Sequence, residues 1–382
     1  MSAKALRVLM VSARYLPDMG GIETHVHEVA RSLTRSGLEI TVLATDRSRT
    51  RPRSEVVDGI SVMRVPAWPR HRDYYLAPGI AAVVGQRARW DVVHCQGVHT
   101  PVPVLAMMGA RRVGIPYMVT FHTGGHSLRH RNALRSVQWR LLSPLLRGAA
   151  SLVAVSRFEA EKLSAQARLA GKPVTVIRNG GTLPPPAPGT ADIPGRIVSP
   201  GRLEKYKGHH RVIEALPYVI KEVPDAHLVV LGHGPYESEL RALADRLGVG
   251  DRVVITQVPP ADRQAMATAL AEASVVVAMS DYEAHPVALM EALGVGRPVV
   301  GCAIAGIKEL VDEGLVQGVA PDASAGAIAQ ELVNAMSTQL PVAIPGLPTW
   351  DNTSEQLARL YLAAAGRPAI SPSGNLSIDV IP

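Results

Sequence analysis

Short apolar runs recur along the whole chain, each followed by a polar turn and then by a stretch of helical periodicity. In the first half they are Leu6 to Val11, Glu39 to Ala44, Trp90 to Gln96, Pro116 to Phe121, Ser151 to Ser156 and Val174 to Arg178. In the second they are Arg196 to Ser199, His227 to Leu231, Arg252 to Gln257, Ser274 to Met279 and Pro298 to Cys302. Apolar runs of strand length predict strands buried on both faces, and strands alternating with helices predict parallel sheets. Helices are expected from about Ile22 to Ser36, over 128–148 and over 353–365, the last carrying Leu357, Leu360, Tyr361 and Ala364. Asp46 to Asp58 reads as a charged loop. Residues 182–194, rich in Pro, Ala and Gly, read as a linker between a domain over 1–181 and another over 195–349. The stretch 366–382 lacks periodicity and predicts a disordered tail.

A chain of 382 residues is long enough for two α/β domains with cores of their own. Its two cysteines, Cys95 and Cys302, lie far apart, which argues against a disulfide framework and suits a reducing cytoplasm. The N-terminus runs directly into an apolar strand rather than a signal peptide. No apolar run approaches the roughly 20 residues that span a bilayer.

Charge divides the chain. Residues 1–180 hold 26 Lys and Arg against 11 Asp and Glu, and the remainder holds 14 against 22, within a net charge of +7. No acid occurs from Val92 to Phe158, a stretch with Arg111, Arg112, Arg129, Arg131, Arg135, Arg140, Arg147 and Arg157. Such a half suits an anionic partner (an acidic acceptor, a membrane surface or nucleic acid) or is an ordinary solvated basic surface. Over 128–148, Leu134, Val137, Leu141, Leu142, Leu145 and Leu146 set an apolar face against the arginines. That pattern fits a surface helix or one lying on an anionic membrane.

The stretch from Ser280 to Val300 concentrates the candidate chemistry. Glu283 lies in a loop after an apolar strand, Pro286 can open the following helix, and Gly294 or Gly296 can stop it. Glu291, about two turns further on, then stands on the order of 10 Å from Glu283, the span from a hexose to a ribose across a diphosphate. Amides freed around His285 to Val287 offer a place for negative charge. Gly201-Arg202-Leu203-Glu204-Lys205-Tyr206-Lys207-Gly208 sets cations beside a loop glycine at the mouth of a helix, as a diphosphate clamp does. Gly20 and Gly21 sit at a strand-to-helix turn where backbone can approach a ligand. The runs ending in His94-Cys95-Gln96 and in His122-Thr123-Gly124-Gly125 place polar groups at strand carboxyl ends, which line the crevice of a doubly wound sheet. Gly232-His233-Gly234 is half a dinucleotide fingerprint, but its third position is Glu237 and the next strand ends in Thr256-Gln257, so a dehydrogenase is disfavoured.

The Glu283–Glu291 spacing, with seven residues between, resembles the signature of the glycosyltransferase family 4 type of GT-B enzymes. The resemblance extends from about residue 6 to 365 through Gly20-Gly21-Ile22-Glu23-Thr24-His25-Val26, Phe121-His122-Thr123, Asn179-Gly180, Gly201 to Gly208 and Trp350-Asp351. The sequence departs from the family where Ala284-His285 replaces a Gly-Phe type of pair, and where no Asp follows Asn179-Gly180. The resemblance implies a GT-B fold: two doubly wound Rossmann-like domains facing across a cleft, with a helix near 350–365 returning to the first. It implies that Arg202 and Lys207, with Gly20 and Gly21, bind the donor diphosphate. Glu283, Ala284, His285, Pro286 and Val287 would hold the donor sugar, Glu291 the ribose, and Gln257 and Val258 the nucleobase through their backbone. Ala305-Gly306-Ile307-Lys308-Glu309 is expected to face the same cleft. His122 would reach the sugar near the reacting centre, and Glu23, Thr24 and His25 would face the acceptor. His122, Glu283, Arg202 and Lys207 are thereby the catalytic candidates.

The activity so implied is retaining transfer of a hexosyl or N-acetylhexosaminyl group from a nucleotide sugar, commonly UDP-linked, to an acceptor hydroxyl. The nucleotide sugar is a substrate, and neither a cofactor nor an essential metal is expected, since no Asp-x-Asp occurs in the chain. Two rivals stand beside it: a GT-B sugar-nucleotide epimerase, and a non-catalytic module that binds nucleotide or an anionic membrane. Nucleic acid is not an expected partner, and the place of action is the cytoplasm or the inner face of its membrane.

Overall fold

A computed structural model of the chain describes residues 5–18, 20–70, 75–122, 131–259, 261–338, 344–368 and 379–381, and of 131–137 only the backbone. They form two compact units, one of residues 5–122, 131–179, 350–368 and 379–381, the other of 180–338 and 344–349.

The first unit begins with strands β1 (Arg7–Val11), β2 (Glu39–Asp46), β3 (Ser54–Val57), β4 (Ile60–Pro66), β5 (Val92–Gln96), β6 (Tyr117–Thr120), β7 (Ser151–Ala154) and β8 (Val174–Val176). Helices α1 (Gly21–Arg35), α2 (Gly79–Val84), α3 (Pro101–Val113), α4 (Arg131–Gly148) and α5 (Arg157–Gln166) fall between them. Across the sheet the order is β8-β7-β6-β5-β1-β2-β4-β3, parallel except for β3 against β4. The chain leaves β1 toward β2 and later returns to β1's other side as β5, in the register Met10↔His94 and Val11↔Cys95. Crevices outside such a reversal are where open α/β sheets bind ligands. Along β5, Val93 and Cys95 enter an apolar cluster with Val119, Val102 and Leu152. His94 and Gln96 point to the opposite face, as period two requires.

The second unit holds β9 (Arg196–Pro200), β10 (His227–Leu231), β11 (Val253–Thr256), β12 (Val275–Ala278), β13 (Val299–Cys302) and β14 (Gln317–Val319). Its helices are α6 (His209–Glu222), α7 (Glu237–Arg246), α8 (Arg263–Ala271), α9 (Val287–Gly294), α10 (Ala305–Asp312) and α11 (Ala325–Met336). The order β11-β10-β9-β12-β13-β14 is parallel throughout, the doubly wound arrangement, with its reversal between β9 and β12. Both faces are covered. Ile197, Leu228, Val230 and Val277 pack with Val212, Leu216 and Leu332, while Val198, Val229 and Val276 pack with Leu289, Leu293 and Leu310. That double burial is why the strands read as unbroken apolar runs.

Helix α12 (Trp350–Ala364) belongs to the first unit. The Ser32 hydroxyl donates to Asp351 at 2.6 Å, the Thr353 hydroxyl donates to the Arg178 carbonyl at 2.7 Å, and Leu357 and Tyr361 are fully buried.

Four expectations change. Residues 182–194 are not a free linker: Ala187 and Ile193 donate their amides to Thr268 and Glu272, and the Ser274 hydroxyl donates to the Ile193 carbonyl, so the segment is tied to the second unit. The patternless tail ends in strand β15 (Asp379–Ile381), antiparallel to β8, with Asp379 ion-paired to Arg157 at 2.6 Å. The charged loop after β2 contains β3, turned into β4 by Asp58 and Gly59, both at positive φ (50° and 79°). An Asp-Gly pair in that conformation is a two-residue hairpin turn, a signal present in the sequence. On α4, Leu142 and Leu146 are buried but Leu141 is 73% exposed; residues 128–130 of the expected helix, and the side chains of 131–137, lie outside what is described.

Candidate functional site

In the second unit the loops after β9 and β12, the strands flanking its reversal, bring Lys207 and Glu283 together. The loop after β9 runs from Gly201 to Gly208. Arg202 is half-exposed; its guanidinium donates to the Tyr206 hydroxyl at 2.8 Å and pairs with Glu204 at 2.7 Å. Lys207 is ion-paired with Glu283, from the loop after β12, and the two side chains keep 17% and 18% exposure. The Ser280 hydroxyl donates to the same Glu283 oxygen at 3.1 Å, and the Asp281 amide donates to the Tyr206 carbonyl at 2.8 Å. Burial draws the Lys207 pKa down, but Glu283 outweighs it and holds the ammonium above its ordinary value. His209 below the loop is neutral, its pKa lowered by burial to about 4, and bonds Ser199 at 2.8 Å.

Backbone contact fixes this geometry. A Cβ on Gly208, at φ +74°, would lie 1.9 Å from the Met279 carbonyl oxygen. One on Gly306 would lie 1.8 Å from that of Ala284, and the Gly306 amide donates to the Glu283 carbonyl at 2.8 Å. The loop carrying Glu283 therefore rests on the start of α10. Gly208→Ala is expected to cost at least about 2 kcal/mol from the left-handed φ and the collision together; an unchanged urea midpoint would contradict it. The Gly232-His233-Gly234 fragment has the same kind of cause. Cβ atoms there would meet the carbonyl oxygens of Gly201 and Leu203 at 1.8 and 2.4 Å. These glycines let two loops pack backbone to backbone.

Glu291 lies in α9, which starts at Val287 with Pro286 as its N-cap residue. It is 3% exposed and ion-paired with Arg263, the first residue of α8. Ala284, His285 and Pro286 are buried and Val287 is half-buried. Gln257 is exposed and Val258 half-buried in the loop after β11, whose Pro260 lies outside the described residues.

In the first unit, Gly20 in extended conformation caps α1, and its carbonyl accepts from the Thr24 amide at 2.9 Å. Nothing lies within 4 Å of the Cβ position of Gly21, so the backbone there is open. Glu23 is buried with its carboxylate 3.7 Å from the Arg14 guanidinium. Thr24 and His25 are turned into the unit rather than outward. His25 Nδ1 bonds Asn179 Oδ1 at 2.9 Å, and its ring packs edge-on against His122, centroids 4.8 Å apart, and against Trp350. His122, just after β6, bonds Gln96 at 2.9 Å through Nε2. Thr123, Gly124 and Gly125 lie outside the described residues. Burial lowers the pKa of His25 to about 4 and of His94 to about 3, the latter with a smaller contribution from His25. Burial, then His25, His94 and His99, holds His122 well below the ordinary range. His25, His94 and His122 are therefore neutral imidazoles at pH 7.

Sequence reading missed Gln96, Tyr361, Asn179 and Arg263 as members of these clusters. Gln96 and Asn179 carried a signal, a polar residue at a strand end and an Asn before two glycines. Tyr361 looked like one more apolar position of a helix, and Arg263 had no pattern to mark it.

Chemically, the second unit presents two cations and a partnered carboxylate beside a strand-to-helix loop, which suits an anionic ligand bearing hydroxyls. Residues 19–181 match the family model described as Glycosyltransferase Family 4, and residues 194–338 the one described as Glycosyl transferases group 1. A D-inositol 3-phosphate glycosyltransferase of Xylanimonas cellulosilytica is 32% identical over 356 residues, 80% of this chain and 82% of that one. The sucrose-phosphate synthase of Thermosynechococcus elongatus shares the fold at a TM-score of 0.69 and 19% identity, over 94% of this chain and 96% of that one. So does the Anabaena protein HepE, solved in complex with UDP, at 0.63 and 20% identity over 95% and 97%.

Proposed function

This chain belongs to glycosyltransferase family 4, and on that premise we propose that it transfers a hexosyl or N-acetylhexosaminyl group from a UDP-sugar to an acceptor hydroxyl with retention of configuration. That it is a GT-B enzyme using a nucleotide sugar is the premise; donor, acceptor and stereochemistry are the proposal. The observation that carries it is the Lys207–Glu283 pair at the reversal of a doubly wound sheet, with Arg202 on the same loop. Arg202 and Lys207 would take the diphosphate. Glu283, released in part from Lys207, would hold sugar hydroxyls, with the backbone of Ala284 to Val287 beside it. Glu291 would hold the ribose, Gln257 and Val258 the base, and His122 the transferred sugar.

Retention by double displacement needs a carboxylate on the far face of the sugar, and none of the candidates has that place assigned. The proposed course is departure and attack on one face through an ion pair, the leaving phosphate accepting the acceptor's proton. Two preorganised cations stabilise charge that develops on the leaving group, so no divalent ion is required. For the acceptor, the basic balance of residues 1–180, 26 against 11, and the likeness to an inositol phosphate glycosyltransferase favour a phosphorylated polyol, free or lipid-linked. Among the described residues no helix is long and apolar enough to cross a membrane.

The test is transfer from UDP-, GDP-, ADP- and TDP-sugars to a panel of polyols and polyol phosphates, with the product anomer read by NMR. Transfer from a UDP-sugar with retention, unchanged by EDTA, is expected. Loss of activity with EDTA would remove the metal-free mechanism. Donor turnover without acceptor would indicate an epimerase.

A further inference from the structure

Gln96 ends β5 on the face away from the apolar cluster and is buried. Its amide touches two histidines. The NH2 group lies 3.3 Å from His94 Nδ1 and 3.5 Å from its Nε2, and the carbonyl oxygen lies 2.9 Å from His122 Nε2. His94 is held at both nitrogens, by the Tyr361 hydroxyl at 2.6 Å on Nδ1 and by Thr120 Oγ1 at 2.7 Å on Nε2. A neutral imidazole offers one N–H and one lone pair. The Tyr361 and Thr120 hydroxyls can each donate or accept, so they satisfy His94 in either tautomer. The Gln96 carbonyl oxygen, an acceptor only, faces His122, whose Nε2 therefore carries the proton it accepts.

We infer that Gln96 is the positioning residue of His122: it keeps the ring proton on Nε2 and leaves the Nδ1 lone pair as an acceptor for a hydroxyl of the donor sugar. The inference rests on the proposed place of His122 beside that sugar and adds to it which nitrogen acts and what sets it. It also links the returning helix to the site, because Tyr361 on α12 bonds His94, against which the Gln96 amide rests. Among the described residues, the titratable groups packed on His122 are imidazoles: His25 from α1, His94 from β5, and His99, whose Nε2–H donates to the His122 carbonyl at 2.8 Å. A glutamate at position 96 would accept the same bond but would favour the imidazolium. Nδ1 would then carry a proton and could no longer accept one.

Gln96→Glu is therefore expected to acquire an acid limb in kcat/KM. Activity relative to the parent enzyme falls tenfold or more as pH drops through the raised His122 pKa, and recovers as pH rises above it. Gln96→Met, of similar shape but without the amide, is expected to lose about 10- to 100-fold in kcat without an acid limb, as when partners that orient other functional imidazoles are removed. It also serves if the glutamate variant does not fold, as judged by its melting temperature. His122→Ala separates the two readings. If it is inactive while both Gln96 variants keep the parent rate and pH profile, the positioning role is overturned and that of His122 stands. If it is fully active, both fall, because nothing remains to be positioned.

Discussion

Lys207→Ala is expected to lower kcat/KM by about 10²- to 10³-fold, the loss typical of removing one preorganised charge-stabilising donor. Most of the loss should fall on kcat. An ammonium that meets substrate and transition state equally would change KM alone. In the proposed reaction charge grows on the diphosphate as the glycosidic bond breaks, so a contact with Lys207 would strengthen along the reaction. Glu283 holds the ammonium in place before the donor arrives and Ser280 holds Glu283; in the proposed reaction the carboxylate is the side of the pair that shifts. Lys207→Arg should recover only part of the rate, because a planar, delocalised fork does not reproduce a compact point charge. Steady-state kinetics with donor varied at saturating acceptor separates the two parameters. A Lys207→Ala enzyme with unchanged kcat and only a raised KM would restrict the residue to ground-state binding.

Glu291→Gln is expected to weaken nucleoside diphosphate binding by about 10- to 100-fold, since a hydrogen bond to a charged group contributes on the order of 1.5–3 kcal/mol. The choice of glutamine matters. Glu291 is buried against Arg263, and truncating one partner of a buried ion pair costs about 3–5 kcal/mol by stranding the other. Glu291→Ala therefore mixes loss of the proposed ribose contact with damage to the packing of α8 on α9. Arg263→Gln supplies the complement: a destabilised unit with the carboxylate still present. If the Arg263 variant, once shown to be folded, binds diphosphate like the parent while Glu291→Gln does not, the carboxylate itself is the contact. Equal losses in both would make the pair, rather than Glu291, the functional unit.

The sequence is legible where strands are buried on both faces and illegible where an element is short or a partner is remote. Val275–Ala278 and Val299–Cys302 could be placed because each is an unbroken apolar run. Ser54–Val57 alternates between exposed and half-buried positions and was hidden in a charged segment, although Asp58-Gly59 marked its turn. Asp379–Ile381 has three residues, too few for a period, and pairs with a strand some 200 residues earlier in the chain. The site divides the same way. Glu283, Glu291, Arg202 and Lys207 stand in spacings that local loop and helix geometry makes meaningful. The Arg263–Glu291 pair and the Tyr361–His94–Gln96–His122 chain arise where distant segments meet, and no local period records such meetings. The glycines were legible as special, but for Gly232 and Gly234 the reason was packing against the neighbouring loop rather than a phosphate.

The measurement that tests the central claim most directly is calorimetric titration of UDP, GDP, ADP and TDP into the parent protein and into folded Glu291→Gln. The account predicts that one diphosphate, UDP, binds in preference to the others and that the substitution weakens it about 10- to 100-fold. Absence of binding by all four to a correctly folded protein would contradict a nucleotide-sugar site in the second unit.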